Sequence, residues 1–456
     1  MNLSKLIIIF LSFFNILCLR EKLRIVNTSN PFFQDKKNLD SNLIFAFTHI
    51  KHGANSPCYG LNYYYADIFE QQWKGYCELT QKGFLQLFKL GKIFQERYNN
   101  LLGIRNNPDI NKILSYASKE NKTLMSSNAF FYGMYFNNNT PIEEQIVVPT
   151  RNFKKVIDHE LIPIFYFGDI NNCEGWKKLI NKNDDYKTEE LKDFYSRFIK
   201  SYGDALNILR NKGEMKYCNT LFDKVNLFCS SYISNYYDER YKDIEMFQDL
   251  KYTEEKFYDL YYDCHTFNLY KYTLIQYNDE AKNIPQLILS DMLNDMIKYM
   301  DLAINDPHKE SPKFLSYMGH DSTIAAMQVI LHQLFNVTYK LMNFGSNQIF
   351  LLLKKEQNYE IKYFYNDELL LSMNYEQFKN NIETLLKDND KNKDLVYFCK
   401  GFQIKDYTIL ILCCTIMALI VANASICLYH KNIFCEKKKY MSIESTGKSV
   451  EIKNEV

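Results

Sequence analysis

Two short stretches of this chain carry side chains that could do chemistry. Lys51-His52-Gly53-Ala54-Asn55-Ser56-Pro57 follows the apolar run at 42–50, and Gly319-His320-Asp321-Ser322 follows the run at 313–318. A histidine at the C-terminal end of a buried strand stands where open α/β sheets bind their ligands. Gly53 would let the backbone come close to a bound oxyanion. Amides at the start of a helix after residue 320 would attract an anion, and Asp321 could give or take a proton there. Each feature also has a plainer reading. A strand-end histidine is more often structural, and an aspartate opening a helix is more often a cap. No C-x-x-C pair and no carboxylate–histidine cluster has ligand spacing, so no metal and no other cofactor is expected.

The elements that would hold these residues can be read from periodicity. Residues 42–50 (NLIFAFTHI) form a β-branched and aromatic run that predicts a buried strand. Thr80 looks like an N-cap for a helix running to about residue 98, with Phe84, Leu87, Phe88, Gly91 and Phe94 on one face. A strand is expected at 112–118. A helix is expected at 122–136, with Leu124, Met125, Ala129 and Tyr132 inward. Residues 151–285, rich in Tyr, Lys, Asp and Glu, predict a helical insertion. Strand and helix then alternate: helix 286–304, strand 313–318, helix 322–334, and a strand pair at 347–354 and 358–365. That alternation implies an α/β sandwich.

The order and spacing of the motifs resemble the histidine acid phosphatases, a branch of the phosphoglycerate-mutase-like fold. Their signature R-H-G-x-R-x-P is similar to residues 51–57, and their H-D to His320-Asp321. Leu79-Thr80-Gln81-Lys82-Gly83 resembles the family's L-T-x-x-G, Lys122-Thr123-Leu124-Met125-Ser126 its R-T-x-x-S, and Phe364-Tyr365-Asn366-Asp367-Glu368-Leu369 its late Y-N-x-E. The resemblance implies a three-layer αβα sandwich and hydrolysis of a small phosphorylated substrate. His52 would be the nucleophile and Asp321 the proton donor, with Lys51, Asn55, Lys122 and His320 around the phosphate. The departure is in the cradle. Lys51, Asn55 and Lys122 stand where the family has three arginines. Lysine is a point charge without the planar fork of arginine, so the expected activity is weak or narrow. The alternative is a catalytically inactive phosphatase fold kept as a binding or surface glycoprotein.

Apolar segments bear on the compartment. Residues 6–19 follow Lys5, precede Arg20-Glu21-Lys22, and fit the core of a signal peptide spanning 1–19. Residues 407–429 carry no charge and are long enough for one transmembrane helix. Lys431 and Lys437-Lys438-Lys439 follow, which places the tail 430–456 in the cytosol. The body at 20–400 would then be luminal or extracellular, in a lysosome, vesicle or the cell surface, a layout that resembles the lysosomal members of the family.

Seven body cysteines, Cys58, Cys77, Cys173, Cys218, Cys229, Cys264 and Cys399, should mostly pair in such a compartment. The odd one is free or joins a second chain, which allows a homodimer. Sequons begin at Asn27, Asn121, Asn138 and Asn336. Asn121 is expected to be shielded by the pocket beside Lys122, leaving Asn138 and Asn336 as acceptors. Tyr440-Met441-Ser442-Ile443 has the Tyr-x-x-apolar form of a sorting-adaptor contact. The net charge of +1 gives no electrostatic case for nucleic acid.

Overall fold

The computed structural model describes residues 42–58, 75–102, 110–135, 189–276, 284–306, 311–387 and part of 411–426, apart from 119, 214, 216, 217, 219, 413 and 424. The expected signal peptide, the sequons at Asn27 and Asn138, Cys173, Cys399 and the tail motif at Tyr440 lie outside these residues. The chain divides into two units, Met1–Asn392 and Lys393–Val456.

In the first unit the order is β1 (Leu43–Lys51), α1 (Gln81–Leu102), β2 (Ile113–Ala117), α2 (Asn121–Tyr135), α3 (Glu189–Asn211), α4 (Leu221–Tyr237), α5 (Glu245–Asp249), α6 (Glu254–Gln276), α7 (Ile284–Asn305), β3 (Phe314–Gly319), α8 (Asp321–Phe335), β4 (Asn347–Lys355), β5 (Asn358–Tyr365), β6 (Glu368–Asn374) and α9 (Tyr375–Lys387). Six strands form one mixed sheet in the order β2-β3-β1-β4-β5-β6. β1 and β2 run parallel to β3, whereas β4, β5 and β6 add antiparallel pairs. The central strands β1 and β3 are buried almost throughout, which explains why they read as continuous apolar runs without alternation.

Alternate residues of these strands feed two cores. Ala46, Ile50, Phe314 and Met318 join Leu87, Phe94, Phe130 and Met134 of α1 and α2 on one face. On the other face Phe47 packs on Tyr317 and Phe350, and Phe350 on Phe378 of α9. Tyr317 also donates from its hydroxyl to Asp295 of α7 at 2.8 Å. Helices therefore cover both faces. Between α2 and α7 the described residues are helical and contain no strand. Their interior is aromatic, with Phe194, Phe198, Tyr202, Phe228, Tyr232 and Phe247 all buried.

Two sequence expectations need correction. Met125 is not inward but 43% exposed. Asn121, Met125 and Asn128 form the strip of α2 left to solvent, spaced i, i+4, i+7. Strand β6 and helix α9 are absent from the sequence reading. The strand follows a two-residue turn, Asn366-Asp367, in which both residues have positive φ, 45° and 71°, as a type I′ hairpin requires. The span expected at 407–429 is left open. Among the described residues no helix is long and apolar enough to cross a membrane. The expected span falls partly outside the described residues; its described part is helical, with Ile411, Leu412, Ile416 and Leu419 exposed.

Candidate functional site

The parallel pairing of β1 with β3 sets Lys51 opposite Gly319, so the two strand-to-helix turns emerge side by side. The amide of His52 donates to the carbonyl of Gly319 at 3.0 Å, and the amide of Gly345 donates to the carbonyl of His52 at 3.1 Å. The His52 and His320 rings meet edge to face with centroids 5.4 Å apart. Residues 268 positions apart in sequence are thus neighbours because a ladder register fixes them.

The turn after β1 is held by α1 and α2. Gly53 and Gly83 make backbone contact: a Cβ on Gly83 would stand 2.1 Å from the Ala54 carbonyl oxygen, and one on Gly53 would stand 2.5 Å from the Gly83 oxygen. This contact accounts for the glycine of the Leu79–Gly83 motif. Thr80 accepts from the amide of Gly83 at 3.1 Å and so caps α1. Ser126 accepts from the amide of Gly53 at 3.0 Å and donates to the Lys122 carbonyl at 2.6 Å. Gly53 therefore also has a packing role. Its missing side chain makes room for α1, and its amide is taken by Ser126.

His52 is buried, and its Nδ1 lies 2.8 Å from its neighbour's carbonyl, Gly53 O. A carbonyl can only accept, so Nδ1 carries the proton and Nε2 keeps a free lone pair. Burial, then the charge of Lys122, then His320 and Lys51 hold the His52 imidazole well below its ordinary range. A neutral ring with a lone pair at Nε2 can attack an electrophile without first losing a proton. His320 is pushed down to about 4, chiefly by burial, with Glu120 opposing and Lys122 assisting. Its Nε2 sits 2.8 Å from the Ser118 hydroxyl.

Lys51 is buried and ion-paired to the Asp321 carboxylate. Its ammonium also donates to the Met342 carbonyl at 3.1 Å and lies 4.7 Å from the Phe344 ring centroid. Burial lowers the Lys51 ammonium, and Asp321 opposes this. Burial raises the Asp321 carboxyl, but Lys51, helped by His265 and Lys271, outweighs it and holds the carboxyl below its ordinary value. Asp321 is the first residue of α8, while His320 takes the N-cap position. The Thr323 hydroxyl accepts from the His320 amide at 3.1 Å.

Lys122, also buried, is ion-paired to Glu120 at 2.8 Å. The expectation that Asn121 is shielded fails: it lies on the exposed strip of α2, its amide 3.4 Å from Glu78. Asn55 is turned into its own loop. Its Nδ2 donates to the Ser56 carbonyl at 2.7 Å and reaches Cys58 Sγ at 3.2 Å. Cys58 and Cys77 form a disulfide, as do Cys229 and Cys264, and Cys218 is a free thiol.

His52, His320, Asp321, Lys51 and Lys122 thus come together, and Asn55 adjoins them without facing them. Sequence reasoning missed Glu120, Phe344 and the half-cystine pair. Cys58 follows Pro57 directly and Cys77 precedes Leu79 by two, so their positions beside two motifs were the available signal. Nothing local marks His265, which α6 delivers and which burial, with Lys51 assisting, lowers to about 3.

The sequence profile of the histidine phosphatase superfamily (branch 2) matches residues 22–366. The chain is 25% identical over 300 residues to putative acid phosphatase 5 of Caenorhabditis elegans, covering 65% of this chain and 63% of that relative, so it spans less than two thirds of the relative's length. It is 24% identical over 330 residues to the lysosomal acid phosphatase of Xenopus laevis, covering 70% of this chain and 68% of that one. Among solved structures, the phytase of Klebsiella sp. ASR1 matches with a TM-score of 0.51 and 12% identity, covering 78% of this chain and 96% of that one. The Hafnia alvei phytase in complex with myo-inositol hexakis sulphate matches with a TM-score of 0.51 and 10% identity, covering 75% and 96%. At these identities the structures speak to the fold alone.

Proposed function

Because the chain belongs to branch 2 of the histidine phosphatase superfamily, we propose that it hydrolyses phosphate monoesters through a phosphohistidine on His52. The observation that carries this reading is the state of His52: buried, neutral, with Nδ1 committed to the Gly53 carbonyl and Nε2 left with its lone pair. Nε2 attacks phosphorus, the ester P–O bond breaks, and the leaving alkoxide takes a proton from Asp321. Water then attacks the phosphohistidine while giving a proton to the Asp321 carboxylate, the P–N bond breaks, phosphate leaves, and Nε2 regains its lone pair. Lys122 and His320 supply donors to the phosphoryl oxygens as charge develops.

Asp321 must be protonated to act, yet Lys51 holds it ionised at rest. An arriving phosphate competes for the Lys51 ammonium. Once that ammonium turns to the phosphate, burial favours the protonated carboxyl. Activity should therefore be confined to acid pH. The substrate is a small phosphorylated molecule. The two disulfides among the described residues support an oxidising compartment such as a lysosome, with residues 407–429 as the proposed anchor.

A second reading, a phosphatase fold that binds without turnover, is favoured by one observation: Asn55, at a cradle position, is engaged with its own loop. One experiment separates the two. The full-length chain is assayed for phosphate release from an aryl phosphate between about pH 4 and 7, and phosphorylated protein is trapped by acid-free quenching. Turnover with an acid-labile label on His52, lost in His52→Ala, supports the enzyme. Folded protein that binds phosphate but never releases it from the ester supports the binding reading.

A further inference from the structure

We propose that the Cys58–Cys77 disulfide is a working part of the phosphate site, seating the Lys122 ammonium while leaving its charge available to substrate. This inference rests on the phosphatase reading and adds to it residues outside its motifs.

The Lys122 ammonium lies 2.8 Å from Cys77 Sγ and 3.5 Å from Cys58 Sγ. It also contacts Glu120, whose side chain is 42% exposed. A buried ammonium is normally satisfied by oxygen. Here two of its neighbours are sulfurs of a disulfide, which accept hydrogen bonds weakly and carry no charge. Such a partner fixes position without neutralising the cation. A carboxylate in the same place would compete with phosphate for it. Glu120 does compete, but its exposure lets it turn to solvent when a phosphate arrives. The same disulfide receives Asn55 Nδ2, so two of the three altered cradle positions, 55 and 122, face it.

The backbone around Cys77 is shaped for this contact. Cys77 has φ 62°, a left-handed conformation that L residues rarely adopt. The segments it joins are already paired without sulfur: the Ser56 amide donates to the Glu78 carbonyl at 2.8 Å, the Thr80 amide to the Ala54 carbonyl at 2.9 Å, and the Cys77 amide to the Pro57 carbonyl at 3.2 Å. The Ser56 hydroxyl bonds the Gly75 carbonyl at 2.7 Å. Opening the disulfide leaves these bonds intact, so its effect falls on Lys122 and not on the local chain path.

Reduction by a dithiol breaks the S–S bond, delivers two electrons and two protons to form two thiols, and turns the dithiol into its own disulfide. The Cys77 thiol then lies against an ammonium, an environment that favours thiolate. Among the described residues Lys122 of α2 touches it, and Glu120 is ion-paired to Lys122. A thiolate–ammonium pair would consume the positive charge that the oxidised site keeps for phosphate. Cys229 and Cys264 are fully buried, whereas Cys58 and Cys77 are partly exposed, so a mild dithiol should reach the site pair before the pair in the helical region.

The test is calorimetric binding of inorganic phosphate to the full-length chain, oxidised and after mild reduction, with thiols mapped by mass spectrometry and folding followed by circular dichroism. Loss of one charge-assisted contact predicts a Kd for phosphate about ten- to a hundredfold higher in the reduced protein, with the dichroism unchanged. In Lys122→Met, phosphate binding should be weak from the start and should change less than about twofold on reduction, because the two act as one unit. Unchanged affinity on reduction, the same loss in Lys122→Met, or unfolding on reduction would each overturn the role given to the disulfide. Absence of phosphate binding in the oxidised chain would instead overturn the phosphatase reading, and this inference with it.

Discussion

Lys51, at a proposed cradle position, is bound up with two proposed functions, phosphate binding and proton donation. Its ammonium is shared between Asp321, the Met342 carbonyl and the face of Phe344. An arginine there could hold a carboxylate with one edge of its fork and a phosphate with the other; a lysine must choose. Lys51→Met should therefore do two things. It leaves a part-buried carboxylate without its partner, which costs up to about 3–5 kcal/mol when the carboxylate stays ionised. It also lets Asp321 take up its proton at higher pH, since burial raises its carboxyl and Lys51 lowers it. The alkaline limb that Asp321 contributes to the kcat profile, where the proton donor is lost, should move to higher pH, and denaturant unfolding should show the stability loss. Lys51→Arg should keep the stability and improve KM. A profile unmoved by Lys51→Met would exclude Asp321 as the titrating proton donor.

Between residue and fold stand α1 and α2, packed closely enough that their backbones touch. A Cβ on Gly133 would stand 2.0 Å from the carbonyl oxygen of Phe88, and backbone cannot yield as a flexible side chain does. Gly133→Ala should push α2 from α1 at a cost of about 1–3 kcal/mol or more, read as a lower Tm. Because α2 also carries Lys122 and Ser126, and Ser126 holds the Gly53 amide, the displacement should raise the KM for an aryl phosphate as well. A Tm shift with unchanged KM would mean that α2 relaxes without moving its N-terminus. The sequence marked α1 and α2 by their apolar spacing. It could not show that one strip of α2, Asn121-Met125-Asn128, faces water, because that depends on the tilt at which β2 and α1 receive the helix.

For the molecule as a whole, buried neutral histidines set the response to acid. His49 and His265 are lowered to about 3 and His320 to about 4, each chiefly by burial. An unfolded chain protonates the same side chains near the ordinary 6.5, so between these limits the unfolded state binds more protons. Stability must then fall as pH drops below about 6.5, by up to about 1.4 kcal/mol per pH unit for each histidine. Asp321, held below its ordinary value, acts in the same direction at lower pH. Thermal unfolding between pH 7 and 4 should show this slope, and His49→Gln, which can keep the contact to Thr323, should reduce it by one proton. A Tm independent of pH across that window would show that these histidines titrate normally in the folded protein.

The sequence by itself determined the alternation of strand and helix, the two histidine turns and the order of motifs, because these rest on local periodicity and on residue types that few other patterns reproduce. The runs at 42–50 and 313–318 were legible as strands since both are mostly apolar and do not alternate, which is what burial on two faces requires. It could not decide what the side chains at those turns touch. That His52 and His320 meet follows from the β1–β3 register. That Lys51 is spent on Asp321 and Asn55 on its own loop, while Lys122 rests between Glu120 and a disulfide, follows from which groups the fold leaves within reach of each cation and amide. Charge, once buried, takes the nearest partner available, and only the tertiary structure says which partner is nearest.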